Sequence, residues 1–306
     1  MKSNSIICSG ILLLVSVWAA AAAAPGSVRP VRDDVGFCWD METMKRLVLY
    51  LQLNETDIVN PEGLVAGISP HDDYLYAGRV YFPLFRAIRC REVVVFGVTH
   101  ATVRQAINDP QGVLLLDDFS HWRGLNGDIP VSPLRDYIVS RSDTAMIRVN
   151  RRAHELEHSV EALLPFLHYF NPDIKLTAIM VTAMPLARME EVSDHLADLV
   201  CRYISENDLQ PGQDIFFLMS SDANHYGHDF NNAPYGDDAK GHAMATAEDL
   251  GLARSYLTGT MDGEKITGLV GELWGNRFDQ TGNFLWCGRY SIPFGLMSIG
   301  KVMQLI

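Results

Sequence analysis

Five apolar runs of strand length punctuate the chain: Leu64–Ile68, Val93–Val98, Val113–Leu116, Ile174–Val181 and Ile215–Met219. They are rich in Val, Ile and Phe and lack polar alternation, as strands covered on both faces do. Between them the period changes. Val192, Leu196, Leu199, Val200 and Tyr203 recur at helical spacing after Pro185, and Val160, Leu163, Leu164 and Leu167 form a second such stripe. A long amphipathic stretch from about Ala239 to Leu257 predicts a third helix. Strands alternating with helices predict an α/β fold, a single layered domain whose central sheet is largely parallel or mixed and is flanked by helices. No Pro/Ser-rich or charge-run linker divides the middle of the 306 residues, so one domain is expected.

The first two dozen residues break this pattern. Lys2 precedes an apolar run from Ile6 to Trp18, and the alanine tract Ala19–Ala24 stops at Pro25. Small residues after a short apolar stretch are what signal peptidase cleaves, so residues 1–24 read as a signal peptide and 25–306 as the mature domain. An uncleaved anchor is the competing reading, because Ile6–Ala24 is nearly long enough to span a bilayer. The weakly hydrophobic alanines favour cleavage. Cys8 opens the apolar run instead of closing it, which argues against a lipid-modified cysteine. The expected location is periplasmic or secreted, with no stable membrane insertion after cleavage.

Charge narrows the partners. The formal net charge of −12 becomes −13 once Lys2 leaves with the leader. So acidic a chain does not bind nucleic acid or anionic lipid through general electrostatics, and a small or neutral substrate fits better. After cleavage four cysteines remain, Cys38, Cys90, Cys201 and Cys287. Their spacing forms no dense disulfide framework, and their pairing stays open.

The candidate chemistry gathers where strands end. Leu64–Ser69 runs into Pro70-His71-Asp72-Asp73-Tyr74, Val93–Val98 into Thr99-His100, and Ile215–Met219 into Ser220-Ser221-Asp222-Ala223-Asn224-His225. In open α/β sheets the carboxyl ends of strands face the ligand crevice, so three polar clusters at such ends can share one pocket. Singly, each is ambiguous: Asp72 and Asp73 also suit a turn or a helix N-cap, as does Asp222. A fourth cluster, Glu155–Glu161, predicts the opening of a helix with His158 and Ser159 in its first turn and a bend at Pro165. A fifth, Trp286-Cys287-Gly288-Arg289, offers a thiol that is by default a packed or disulfide-bonded cysteine, or else the soft donor of a metal site.

Together these segments resemble the ordered motifs of the Memo family, which includes the bacterial AmmeMemoRadiSam system protein B and is similar in fold to the extradiol dioxygenases. The resemblance rests on His71 with Tyr74, Tyr76 and Gly78; on Gly97 with His100; on Glu157-His158-Ser159 with Glu161 and Leu164-Pro165-Phe166; on Ser221-Asp222 with His225-Tyr226-Gly227; and on Cys287-Gly288-Arg289. It implies metal ligands at His71, His100 and Cys287, with Asp222 and His225 lining the same pocket and His158 close by. It also implies iron or copper, whereas the residue types alone suit iron, copper or zinc. Two departures stand out: Asp72 and Asp73 occupy positions where the family usually has a small residue and Gly, and Ala101 follows His100 where a second His is common. The added carboxylates favour a harder ion or a changed substrate.

Three functions compete. The lead is a mononuclear non-haem iron (or copper) enzyme of redox or oxygenase type. It would act on a small organic substrate with O2 as a further partner, His225 or His158 moving protons and Asp222 orienting an imidazole. A zinc hydrolase using His71-Asp72-Asp73 is the alternative enzyme, and a metal-binding or interaction protein without turnover is the third reading. N-terminal sequencing of exported material is expected to read from near Pro25; an intact Met1 in a membrane fraction would contradict the signal peptide.

Overall fold

The computed structural model describes residues 27–56, 62–274, 277–279 and 284–306; the leader reading of residues 1–24 lies outside them. The strands are β1 (Val28–Arg29), β2 (Ala66–Ser69), β3 (Glu92–Gly97), β4 (Leu114–Leu116), β5 (His121–Gly124), β6 (Gly127–Pro130), β7 (Ile147–Val149), β8 (Lys175–Val181) and β9 (Ile215–Ser220). The helices are α1 (Met41–Asn54), α2 (Tyr74–Phe85), α3 (Ala101–Ala106), α4 (Pro133–Arg141), α5 (Arg151–Leu156), α6 (Leu164–Phe170), α7 (Leu186–Glu206), α8 (Ala239–Tyr256), α9 (Gly263–Trp274) and α10 (Ser291–Leu305). Six strands form the central sheet in the order β2-β9-β3-β8-β4-β7, and β1-β5-β6 form a small second sheet. In the central sheet every pairing is parallel except that of β4 with β8.

The five apolar runs are β2, β3, β4, β8 and β9, each within two residues at either end. Their lack of polar alternation has the expected cause. Val93 and Val95, with Leu176, Ala178, Phe216 and Leu218, pack on α1, α2 and α6. Val94 and Phe96, with Ile179, Val181, Phe217 and Met219, pack on the opposite side against α7, α9 and α10. Alternate residues thus enter two different cores, and both must be apolar. Among the described residues no helix is long and apolar enough to cross a membrane, and Cys38, Cys90, Cys201 and Cys287 are all free.

One segment departs from expectation. Helix α5 ends at Leu156, and His158 and Ser159 lie in the turn that follows it instead of in a first helical turn. The side chain of Glu157 explains this, because its Oε1 accepts the backbone N–H groups of both His158 and Ser159 at 3.0 Å and satisfies them without a helix. The apolar stripe begins only afterwards, as a 3-10 turn, Glu161–Leu163, that continues into α6. Pro165 therefore sits in the first turn of α6, where its missing N–H has no partner to lose within the helix.

An aromatic cluster joins α2 to α6 below the site. Phe166 is fully buried, stacks on Tyr81 at 5.3 Å between centroids, and meets Tyr74 at 4.8 Å and Phe85 at 5.8 Å. Tyr74 also donates its hydroxyl to the Ala162 carbonyl at 2.6 Å, so the same cluster fixes the chain entering α6. Phe166→Ala should cost about 3–5 kcal/mol, read as a lower denaturant midpoint with little change in slope; a loss below about 1 kcal/mol would show that the cluster does not hold α2 to α6.

Candidate metal centre

Strands β2, β9 and β3 are adjacent and parallel, so their carboxyl ends open on one edge of the sheet, side by side. His71 lies two residues beyond β2, His100 three beyond β3 at the N-cap of α3, and Asp222 two beyond β9. Cys287 arrives from the turn before α10. That turn is pinned to the end of β9, since Gly288 N–H donates to Ser221 Oγ at 3.0 Å and Ser291 Oγ–H donates to the Ser220 carbonyl at 2.9 Å. A Cβ at position 288 would overlap the Ser221 side chain, so glycine is what lets this backbone approach.

Three imidazoles converge, with ring centroids 5.2 Å (His71–His100), 5.6 Å (His71–His158) and 5.0 Å (His100–His158) apart. Each is held through Nδ1 by a different oxygen. His71 Nδ1 lies 2.7 Å from Ser220 Oγ, whose own proton is donated to the Ser159 carbonyl at 2.6 Å. A hydroxyl has one proton, so Ser220 must accept here, His71 Nδ1 carries the hydrogen, and Nε2 is left with its lone pair. His100 Nδ1 lies 2.8 Å from Glu157 Oε1, and His158 Nδ1 3.1 Å from Asp33 Oδ2. An imidazole fixed by an oxygen at one nitrogen presents the other as a metal ligand.

A second donor group shares His71. Its Nε2 is 3.3 Å from Cys287 Sγ and 3.2 Å from Asp222 Oδ2, while Cys287 Sγ accepts the Asp222 backbone N–H at 3.0 Å. The donor atoms of His71, His100 and His158 lie within 4.8 Å of one another, and so do those of His71, Asp222 and Cys287. His71 is thus the junction, and His100 and Cys287 fall in different groups.

The electrostatics fit a cation at this junction. Burial, reinforced by His100 and His158, holds the His71 imidazole well below its usual range and keeps it neutral. Burial also pushes the Asp222 carboxyl up, and it pushes the Cys287 thiol far up with the Asp222 charge adding to the effect. Without a cation, protons must separate these lone pairs; a metal ion would displace them. Glu157 behaves differently. Burial disfavours its charge, yet hydrogen bonds from the His100 ring and from the backbone of His100 and Ser159 pull it down to about 2, and in return Glu157 overcomes burial to raise His100.

The site opens into a cleft of about 1480 Å³ lined also by His225, Asp72, Asp73, Tyr76 and Phe230. His225 Nε2 stands 3.9 Å from Asp222 Oδ2, so Asp222 lies between His225 and His71. Asp72 and Asp73 line the cleft but belong to neither donor group. Asp73 takes the N-cap position of α2 without a side-chain capping bond, and Asp72 Oδ1 accepts the Asp73 N–H at 2.8 Å. Of the residues singled out from the sequence, His71, His100, His158, Asp222 and His225 line the cleft, and Cys287 shares a donor group with His71 and Asp222. The sequence reading missed Asp33 and Ser220 as anchors, and it saw Glu157 only as part of a cluster; for Ser220 the one available signal was its place at the end of a buried strand.

Glu157 yields a pH prediction for metal-free protein. An ordinary Glu titrates near 4.3 when unfolded, so a folded value of about 2 contributes on the order of 3 kcal/mol. Its pKa is depressed on folding, so this contribution is complete above the unfolded value and is lost as pH falls through the folded one. Denaturation measured from pH 5 to about pH 2 should show stability falling, and Glu157→Gln should flatten that slope. An unchanged slope would mean the carboxylate is not held as described.

The family described as Memo-like protein matches residues 42–272. A MEMO1 family protein of Saccharolobus islandicus (strain Y.G.57.14 / Yellowstone #1) is 29% identical over 166 residues, covering 52% of each chain. MEMO1 family proteins of Desulfurococcus amylolyticus and Metallosphaera sedula are 30% identical over 166 residues and 28% over 169, each again covering 52% of both chains. The alignment thus spans about half the length of the curated relatives it matches. With most of its length inside the family match, the chain belongs to the Memo-like protein family.

Proposed function

We propose that this chain is an exported metalloenzyme that uses iron, or else copper, for redox chemistry on a small organic substrate, with O2 as a second substrate. The observation that carries the metal is the convergence of His71, His100 and His158, whose rings have donor atoms within 4.8 Å of one another and whose Nδ1 atoms are separately anchored by Ser220, Glu157 and Asp33, leaving Nε2 as the ligand atom of each. Imidazoles with a thiol favour a transition metal over magnesium or calcium. The ion would sit at His71, the donor that the two groups share, with His100 and Cys287 as the further ligands, one from each group, and His158 and Asp222 adjoining them. When bound it would supply one-electron chemistry and Lewis acidity.

The protein's own groups do the rest. Asp222 fixes His71 through the backbone N–H at 2.8 Å and stands beside His225, which faces the cleft and is placed to take or return a substrate proton. Tyr76 and Phe230 give the cleft apolar surface for an organic substrate. The hydrolase reading is weaker, because neither Asp72 nor Asp73 belongs to a donor group. Export rests on the signal-like residues 1–24.

Metal analysis of the purified chain, anaerobic iron loading and oxygen uptake test the proposal. His71→Ala, His100→Ala and Cys287→Ser should each lower metal affinity, with combined losses short of additive once the site is open. Asp72→Ala with Asp73→Gly should keep the metal near stoichiometric and alter substrate response. Loss of metal in that pair would favour the hydrolase, and wild-type retention in the three single variants would refute the site. A chain that binds iron without oxygen uptake on any substrate tried would favour the reading without turnover.

A further inference from the structure

Residues 27–33 precede the stretch that matches the family, and two of them, Arg32 and Asp33, line the cleft. Arg29 is only 1% exposed, with its guanidinium 4.8 Å over the Trp122 ring. It donates to the carbonyls of His154 at 2.9 Å and Glu157 at 2.7 Å, and it forms an ion pair with Glu161. The buried Glu161 carboxylate in turn accepts the backbone N–H groups of Arg32 at 2.9 Å and Asp33 at 2.6 Å. Two buried charges therefore clamp both ends of the strap against the segment that carries His158. The clamp sets Asp33 Oδ2 3.1 Å from His158 Nδ1.

We propose that Asp33 is the positioning residue for His158: held by the Arg29–Glu161 clamp, it keeps the hydrogen on Nδ1 and turns Nε2 toward His71 and His100. Its functional meaning rests on the metal reading given above. A neutral imidazole left to itself prefers its hydrogen on Nε2, which would present N–H instead of a lone pair to the metal. An acceptor at Nδ1 reverses that preference and fixes the ring's rotation. His71 and His100 have their own acceptors in Ser220 and Glu157, both within the family-matched stretch; His158 depends on a side chain from outside it.

The test uses the full chain in two forms. In chelator-treated protein, nitrogen-15 NMR above the imidazole titration range reads the His158 tautomer directly. Nδ1–H is expected in the wild type and in Asp33→Asn, which keeps an acceptor oxygen, and a shift to Nε2–H is expected in Asp33→Ala. In anaerobic Co2+ titrations, Asp33→Ala should bind roughly 10–100-fold more weakly than the wild type, with the asparagine variant between them. Asp33 is one-third exposed, so loss of the carboxylate should leave the fold intact, and a generally structural role would not move the tautomer. An Nε2–H tautomer in the wild type, or wild-type tautomer and cobalt affinity in Asp33→Ala, would overturn the proposal. If the wild type binds no cobalt, the metal reading fails, and the tautomer comparison still decides what Asp33 does.

Discussion

A single buried carboxylate, Glu157, joins the sheet to the site. One oxygen takes the His100 ring and the backbone of His158 and Ser159, and the other takes the His100 backbone. A carboxylate 1% exposed must have such partners, because burying its charge without them is prohibitive. The partners are drawn from two separate parts of the chain, the exit of β3 and the turn after α5. Ser159 extends the tie, since its hydroxyl accepts the Val98 N–H at 3.0 Å and its carbonyl accepts the Ser220 hydroxyl that positions His71. The orientation of two imidazoles therefore follows from satisfying one anion.

What the sequence showed and what it hid divide along physical lines. Strands buried on both faces announce themselves as unbroken Val, Ile and Phe runs, so the central sheet was legible along with the residues at its carboxyl edge. The small sheet was not. Its strands include His121, Arg123 and Asp128 and carry no apolar run. The turn at His158 was read as helix because its acids suit a helix start, and only tertiary bonding shows that Glu157 spends its oxygens on the turn. Cys287 was legible through family resemblance, since a lone cysteine before a helix carries no signal of its own.

The anchors stayed hidden for a different reason. Asp33 meets His158 across 125 residues and Ser220 meets His71 across 149. Each is a short polar side chain; no local pattern marks Asp33, and Ser220 is marked only by closing a buried strand. A metal ligand tends to sit where secondary structure ends, which leaves a trace in sequence. The group that aims the ligand needs only to be nearby in space.

The strand order carries a consequence for how such a centre comes into being. β9 lies between β2 and β3, although it follows both by more than a hundred residues. His71 and His100 thus leave the ribosome early on strands that cannot reach their final spacing until a late segment inserts between them. Contacts between segments so far apart in sequence close a long loop and are slow to form. Until then the candidate donors are scattered along the chain. The donor groups are therefore assembled only with a finished sheet and with the turn that brings in Cys287, not by any one local segment of the chain.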